Sequence, residues 1–143
     1  MLSKSKFKLF ACVAMCVIMM AGINSCKKDE KDYREDFVGS YTGTETFTKD
    51  GTVYTDPCTV VVTKSSEDNK VVINAEFMVA GRNESVSVEV SKDGSFSTSF
   101  PSTIGGVSQT VTISSGKFSK DGKLTYSYTV PGYVTYSVTV TKL

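Results

Sequence analysis

From residue 37 to residue 143 the chain alternates apolar and polar positions with the period of a β-strand. Val86, Val88 and Val90 fall on one face of their segment, and residues 134–140 repeat the pattern. Val, Thr, Ser, Tyr and Phe dominate this region, and none of it has the apolar spacing of an amphipathic helix. The pattern predicts eight strands, at about residues 37–48, 52–63, 70–80, 84–91, 95–100, 107–119, 123–130 and 134–142.

The tripeptide Lys-Asp-Gly occurs three times between these segments, at residues 49–51, 92–94 and 120–122. An Asp-Gly pair can form a two-residue type I′ turn, but that register places apolar residues opposite polar ones. A three-residue loop ending in glycine collects the apolar residues on one face in all three places. It predicts these opposed pairs: Phe47 with Val53, Val86 with Phe100, Val90 with Phe96, and Phe118 with Leu124.

The same reasoning applied to Pro131-Gly132 sets Val130 opposite Val134 and Tyr128 opposite Tyr136. Together these turns predict an antiparallel meander.

Three features interrupt the strand pattern. Pro57 removes a hydrogen-bond donor, so the second strand is predicted to bend or to lie at a sheet edge. A bulge at residues 114–116 would return Phe118 to the core face. Residues 101–106 are predicted to form a flexible loop, whose Ile104 is an exposed contact, a lid over an opening or simply a cap on the core.

Eight short sequential strands close most readily into a barrel, because closure removes both sheet edges. The predicted fold is all-β, an eight-stranded antiparallel up-and-down barrel, with a flattened barrel or a Greek-key sandwich as the alternative. The segment Gly39-Ser40-Tyr41-Thr42-Gly43-Thr44 resembles the first strand of calycin-like or lipocalin-like domains on small bacterial lipoproteins. The chain departs from that family in lacking a tryptophan at Tyr41, and it is short for a barrel with a roomy cavity.

The first 25 residues have the pattern of a secretory signal peptide. Residues 1–8 carry three lysines and no acid, and residues 9–23 are an uncharged, apolar segment. Because a helix needs about 20 such residues to cross a bilayer, a cleaved leader is predicted, with a retained membrane helix as the alternative.

Cys26 directly follows this leader and is preceded by Ile23, Asn24 and Ser25. The arrangement resembles the lipobox of bacterial lipoproteins, with an aliphatic residue at −3, a small residue at −1 and cysteine at +1. The resemblance implies cleavage between Ser25 and Cys26 and acyl chains on Cys26, which would hold the protein to a membrane. The alternative is an incidental thiol beside an ordinary cleavage site.

Residues 26–36 are predicted to be a charged, flexible tether, because they have too few apolar side chains to bury. Within them, Lys27, Lys28, Asp29 and Glu30 resemble the export signal that sends some Gram-negative lipoproteins to the outer membrane. The resemblance implies an outer-membrane protein, with surface display favoured over a periplasmic-facing position, and a plain solvated tether is the alternative. The predicted domains are thus a signal peptide at 1–25, a tether at 26–36 and a β domain at 37–143.

The composition argues against several functional classes. The chain has no histidine, so the commonest general base is missing and Ser-His-Asp and Cys-His catalysis is excluded. Three of the 16 basic residues precede Cys26, which leaves 13 against 15 acidic residues, a net charge of −2 without a basic stripe. Nucleic-acid binding is therefore not expected. No cofactor or metal is predicted, and the protein is not expected to be an enzyme.

Three side chains are candidates for a ligand site at the barrel rim: Glu45, Ile104 and Tyr133. Glu45 shares the strand parity of Tyr41 and is predicted to point inward near the barrel mouth, but as a catalytic acid it would need a second carboxylate across a cleft. Tyr133 falls in a loop, where its ring could stack on a sugar or contact a protein. Cys58 is predicted to be a small buried hydrophobe instead of a reactive thiol.

The expected function is that of a lipid-anchored, non-enzymatic binding module for a small apolar ligand or a glycan, as the resemblance implies. The alternative is a structural, protein-interaction or inhibitor subunit of a surface complex, with a filled barrel. An apolar cavity of about 300 Å³ or more would favour the small ligand. An interior filled by inward aromatic residues would exclude a ligand inside it, and those residues are Tyr41, Phe77, Phe96, Phe118, Tyr126 and Tyr136.

Overall fold

Eight strands follow one another along residues 31–143, the part of the chain that the computed structural model describes. They are Gly39–Lys49 (β1), Thr52–Lys64 (β2), Lys70–Phe77 (β3), Arg82–Glu89 (β4), Ser95–Ile104 (β5), Val107–Phe118 (β6), Lys123–Thr129 (β7) and Tyr136–Lys142 (β8). All pairings are antiparallel, and β1 also pairs with β8, which gives the order β4-β3-β2-β1-β8-β7-β6-β5. The predicted all-β, eight-stranded barrel is confirmed, in a nearly closed form with one unpaired seam between β4 and β5.

The interior of the barrel is packed with side chains. All six aromatic residues predicted to point inward are buried, with at most 7% of any of them exposed. Phe77 lies among other rings, with its centroid 4.9 Å from that of Tyr128 and 5.4 Å from that of Phe100. Interlocked rings of this kind leave little room for a ligand among them.

Several predicted details of register are confirmed. Phe118 pairs with Leu124 across the third Lys-Asp-Gly loop, and Tyr128 pairs with Tyr136. The β6 strand bulges between Ser114 and Lys117, and Phe118 is returned to the core as expected.

The register predicted at the first Lys-Asp-Gly is wrong. Asp50 and Gly51 alone form the turn, both with positive φ (51° and 77°), so Phe47 pairs with Tyr54 and not with Val53. Two positive φ angles are typical of a type I′ hairpin turn. The rings of Phe47 and Tyr54 stack at 4.8 Å, while Val53 points outward and is 65% exposed. Aromatic stacking thus takes the place of the expected contact with valine.

The flexible loop predicted at residues 101–106 is also wrong. Strand β5 continues to Ile104, which pairs with Val107 across a two-residue turn at Gly105 and Gly106. Both glycines have positive φ, which suits a tight hairpin turn. Ile104 is 3% exposed and belongs to the core.

At the seam, the predicted loop forms but the ladder does not extend from it. The backbone N–H of Ser91 donates to the carbonyl of Ser95 at 3.0 Å, as a three-residue loop requires. Beyond that point β4 and β5 have no backbone pairing, so the predicted pairing of Val86 with Phe100 does not occur. The Ser102 hydroxyl instead donates to the Glu84 carboxylate at 2.6 Å across the seam.

Pro101 gives a physical reason for the seam. Ile104 and Val107 flank a two-residue turn, so they form a hydrogen-bonded pair of the β5–β6 ladder. Alternate residues of a strand direct their backbone groups to opposite sides, so Ser102 also faces β6, while the backbone groups of Pro101 face β4. Proline has no N–H to donate, so a ladder between β4 and β5 would lack a hydrogen bond at this residue.

Strand β2 has a free edge of its own. It pairs with β3 only from Val60 to Lys64, so residues 52–59 pair with β1 alone. Pro57 lies in this free part, which confirms the prediction that its strand is at an edge. The separation of β2 from β3 opens a gap in the barrel wall.

The compact unit that contains the barrel starts at Asp32. Tyr33–Asp36 form a 3-10 helix, and the Tyr33 hydroxyl donates to the carbonyl of Val90 at 2.8 Å. The guanidinium of Arg34 donates to backbone carbonyls in and beside the β2–β3 turn. These carbonyls belong to Ser65 at 3.3 Å, Glu67 at 2.6 Å and Lys70 at 3.2 Å. Specific polar contacts thus order a segment that has little apolar surface to bury.

Within residues 31–143 no helix is long and apolar enough to cross a bilayer. The predicted signal peptide, its cleavage site at Ser25 and Cys26, and the residues Lys27, Lys28, Asp29 and Glu30 lie outside the described residues.

Candidate binding site at the open end of the barrel

The β1–β2 hairpin extends past the point where β2 leaves β3, and its inner face is open to one side. Two cross-strand pairs lie on this face: Glu45 with Asp56, and Phe47 with Tyr54. Cross-strand partners project to the same side of a sheet, so one carboxylate pair and one aromatic pair are presented together. We call this end of the barrel, which also carries the β7–β8 loop, the open end.

A row of stacked rings runs from solvent into the core at the open end. Tyr54 is 47% exposed and stacks on Phe47 at 4.8 Å. Phe47 lies 5.2 Å from Tyr136, which in turn stacks on Tyr128 at 4.8 Å. The exposed ring of Tyr54 is therefore held in place by a rigid support, and a rigid ring loses little entropy when a ligand packs on it.

A cleft of about 290 Å³ lies beside this row, where β2 separates from β3. We call it the cleft. Its lining residues come from the free edge of β2, from the end of β3 and the start of β4, and from one position of β1. They are Glu45, Asp56, Pro57, Cys58, Thr59, Glu76, Met78 and Asn83.

Glu45 lies at the base of the cleft and is 4% exposed. Its carboxylate accepts hydrogen bonds from the Tyr128 hydroxyl and from the backbone N–H of Met78. Burial raises the pKa of Glu45 above its ordinary value, and the negative charges of Asp56 and Glu76 raise it further, while the two hydrogen bonds partly oppose the shift. Burial and this hydrogen bond also raise the pKa of Tyr128, which keeps its hydroxyl protonated as the donor.

Cys58 is 7% exposed and forms part of the cleft wall. Burial raises the pKa of its thiol to about 11, with a further contribution from Glu45 and Glu76. A thiol with this pKa is protonated at neutral pH and reacts slowly. The prediction of a small buried hydrophobe is confirmed.

The three residues predicted to lie at the rim have different positions. Glu45 lines the cleft, and Tyr133 is 47% exposed in the β7–β8 loop, at the same end of the barrel. Ile104 is buried at the end of β5 and does not line the cleft.

Tyr54, Asp56 and Glu76 belong to the candidate site but were missed in the sequence. A two-residue turn at Asp50-Gly51 would have predicted these positions, because it places Tyr54 opposite Phe47 and Asp56 opposite Glu45.

In the part of the chain that the structure describes, no three side chains of His, Cys, Asp or Glu converge closely enough to hold a metal ion. The cleft offers carboxylate acceptors, a neutral amide from Asn83 and a neighbouring exposed ring. Such groups can bind hydroxyl or amino groups and the apolar face of a ring.

No protein-family model matches the sequence, and no curated protein matches it.

Proposed function

We propose that this protein is a non-enzymatic binding module, attached to the outer membrane by acyl chains on Cys26, that binds a glycan at the open end of its barrel. The observation that carries the proposal is the exposed ring of Tyr54 beside the exposed carboxylate of Asp56. A sugar ring has an apolar face that can stack on an aromatic ring, and hydroxyl groups that can donate to carboxylates.

The packing of the barrel favours a glycan over a small apolar ligand. The interior positions of the described barrel are occupied by aromatic side chains, which leave little room for an apolar molecule among them. The cleft is small and has three carboxylates in its lining. An apolar ligand there would remove water from these charged groups without replacing their hydrogen bonds, which is costly.

The position of Glu45 supports binding without catalysis. A glycosidase needs one carboxyl group to reach the leaving oxygen and a second to act on the sugar ring. Glu45 is 4% exposed and its carboxylate is already engaged by Tyr128 and Met78. A bound sugar would therefore contact the exposed Asp56 before it reached Glu45.

The proposed anchor suits a site at the open end. The chain enters the domain at Asp32, where Arg34 is fastened to the β2–β3 turn, at the opposite end from the cleft. Cys26 precedes Asp32 by six residues, which span at most about 20 Å. The proposed anchor would therefore join the domain at the end opposite the cleft.

The anchor is tested by metabolic labelling with palmitate in a Gram-negative host, comparing wild type with Cys26→Ala. We expect label on the wild-type protein and none on the variant, with the wild type in the outer-membrane fraction. Protease treatment of intact cells then distinguishes surface from periplasmic display. Residues 1–25 still present in the mature protein, found by mass spectrometry, would overturn the anchor.

Glycan binding is tested on a panel of immobilised oligosaccharides. We expect Tyr54→Ala to weaken binding about 3- to 10-fold, because it removes the stacking surface. Val107→Ala is the matched control, since Val107 is a 61% exposed residue of the β5–β6 hairpin and should leave binding unchanged. Equal binding by wild type and Tyr54→Ala would overturn the proposed site, and oligosaccharides recovered in cleaved form would show an enzyme instead.

The unpaired seam favours a second candidate function, a protein-interaction or inhibitor subunit with a filled barrel. The free edges of β4 and β5 could each accept a strand from a partner. This candidate predicts no binding to the glycan panel. It also predicts that a photo-crosslinker at exposed Ser87 on β4 captures a protein on intact cells, whereas one at exposed Thr44 on β1 does not.

A further inference from the structure

We propose that the ligand of the cleft carries a primary ammonium group, as the free amino group of an amino sugar does, and that this group lies between Asp56 and Glu76. The inference rests on the proposed function, because it specifies which glycans the open end would bind. It follows from three observations: the negative charge of the cleft, the lack of ion pairs at Asp56 and Glu76 within residues 31–143, and the exposed aromatic ring beside them.

The cleft has an unbalanced negative charge. Among residues 31–143, three carboxylates line it and no lysine or arginine does. Asp56 lies on the β2 wall, Glu76 on the β3 wall and Glu45 at the base. A concave site with charges of one sign focuses the potential and raises the local concentration of the opposite ion.

The two outer carboxylates contrast with three acids of the domain that are each paired with a neighbouring cation. Asp32, Glu84 and Asp93 each form an ion pair within 2.8 Å with Arg34, Arg82 or Lys117. Within residues 31–143, Asp56 and Glu76 form no ion pair. They are therefore available to a cation from outside the chain.

The exposed ring beside the cleft is an independent observation that favours the same ligand. Tyr54 lies two residues before Asp56 on the inner side of the hairpin, and its ring is fixed by stacking on Phe47. An aromatic face attracts cations through its quadrupole, and it also packs against the C–H face of a sugar. An amino sugar provides both features in one molecule, since its ring can stack on Tyr54 while its ammonium group reaches Asp56.

The size of the cleft limits what it can hold. At about 290 Å³ it lies at the lower end of the range for ligand pockets. It can accommodate a single ring or one amine-bearing side chain, with any remaining residues of the ligand lying along the hairpin.

The test is isothermal titration calorimetry on the mature full-length protein with two matched trisaccharides. One is the trimer of glucosamine, which carries free amines, and the other is the trimer of N-acetylglucosamine, in which the same amines are acetylated and neutral. We expect the glucosamine trimer to bind about tenfold more tightly, and its affinity to fall as the salt concentration rises.

Two variants locate the charge effect. Asp56→Asn and Glu76→Gln should each weaken binding of the glucosamine trimer about threefold, and the double variant about tenfold, with little change for the acetylated trimer. Glu89→Gln is the matched control, because Glu89 is an exposed acid on β4 outside the cleft and should change neither affinity.

Spermidine, a polyamine with no sugar ring, separates the possible sources of the ammonium group. Weaker binding of spermidine than of the glucosamine trimer, with loss of the trimer's advantage in Tyr54→Ala, supports an amino sugar. If spermidine binds as tightly as the glucosamine trimer, and Tyr54→Ala leaves its affinity unchanged, the sugar is overturned as the source of the amine.

The outcomes separate this inference from the proposed function. Equal, Tyr54-dependent affinity for both trisaccharides would overturn the positive charge and leave glycan binding standing. No binding of either trisaccharide, of spermidine or of the glycan panel would overturn both.

Discussion

The hydroxyl of Tyr128 on β7 donates a hydrogen bond to the carboxylate of Glu45 on β1, which joins two residues 83 positions apart in the chain. The contact lies at the base of the cleft, where it satisfies an acid that is almost fully buried. It therefore links the stability of the barrel to the chemistry of the open end.

Glu45 should make stability depend on pH. Its pKa is raised in the folded state, so folding favours the protonated form. Its contribution to stability is then fully present below the ordinary pKa of 4.5 and is lost as the pH rises through the raised folded value. Glu45→Gln cannot ionise and still offers an acceptor to Tyr128. We expect it to match wild type near about pH 4 and to be more stable at about pH 8, as measured by urea unfolding.

Glu84→Gln serves as the control of opposite sign. The hydrogen bond from Ser102, helped by Arg82, lowers the pKa of Glu84 below its ordinary value. Its contribution to stability is present above the ordinary pKa and is lost as the pH falls, so this variant should be less stable than wild type at neutral pH. A Glu45→Gln variant that loses stability relative to wild type as the pH rises would contradict the raised pKa.

Gly43→Ala should weaken the closure of the barrel between β1 and β8. Gly43 pairs with Val140, and a β-carbon at residue 43 would collide with the carbonyl oxygen of Thr139 and lie 2.8 Å from the Cα of Val140. Backbone atoms cannot move aside as a flexible side chain can, so we expect a loss of about 1–3 kcal/mol or more in the free energy of unfolding. The exposed neighbour Thr44→Ala should change it by less than about 0.5 kcal/mol. Equal stability of the two variants would mean that β1 and β8 can accommodate a β-carbon at residue 43.

The exchange rates of individual backbone amides on β4 should show that β4 is unpaired on its β5 side. The N–H of Val90 donates to Asn69 on the β3 side, so the alternation of the ladder turns Val86 and Val88 toward β3 as well. The N–H groups of Ser85 and Ser87 then face the unpaired side. We expect these two serines to exchange much faster than the two valines in an NMR experiment. Equal protection of all four amides would indicate that β4 and β5 are paired in solution.

Arg34→Lys should destabilise the domain although it keeps the charge. The planar guanidinium of Arg34 reaches three backbone carbonyls and Asp32 at once, and the single ammonium of lysine cannot reproduce that geometry. We expect the melting temperature to fall by a few degrees. Arg82→Lys, at a half-exposed arginine that pairs with Glu84 alone, should change it less. A smaller effect at residue 34 than at residue 82 would show that the 3-10 helix is held mainly by Tyr33.

The sequence was sufficient to predict the strands of the barrel body and most of their register. In that region each strand has one apolar face, so a slip of one residue would move its valines to solvent. The pairing of Phe118 with Leu124 and the bulge that precedes it follow from this constraint alone.

The same rule failed at the β1–β2 hairpin, because the hairpin projects beyond the core. On the β2 side the inner face of the hairpin is open to solvent, and it carries Tyr54 and Asp56 there, while Val53 points outward. A preference for burying the aliphatic residue therefore gave the wrong turn, and with it half of the candidate site was missed.

Other features depend on contacts that no local pattern contains. The partner of Glu45 is 83 residues away, and the effect of Pro101 depends on which neighbour its backbone faces. The start of the domain at Asp32 depends on carbonyl groups of a turn more than 30 residues later, which the charged composition of the segment does not indicate.

The pairing of β1 with β8 brings the two ends of the domain together, with the N–H of Leu143 donating to the carbonyl of Ser40 at 2.9 Å. All other ladders of the described residues join strands that are consecutive in the chain. A circular permutant that links residue 143 to residue 32 and is cut within the Lys92-Asp93-Gly94 loop would keep all these ladders and make every one of them local. Its lower contact order leads us to expect faster folding of the same barrel.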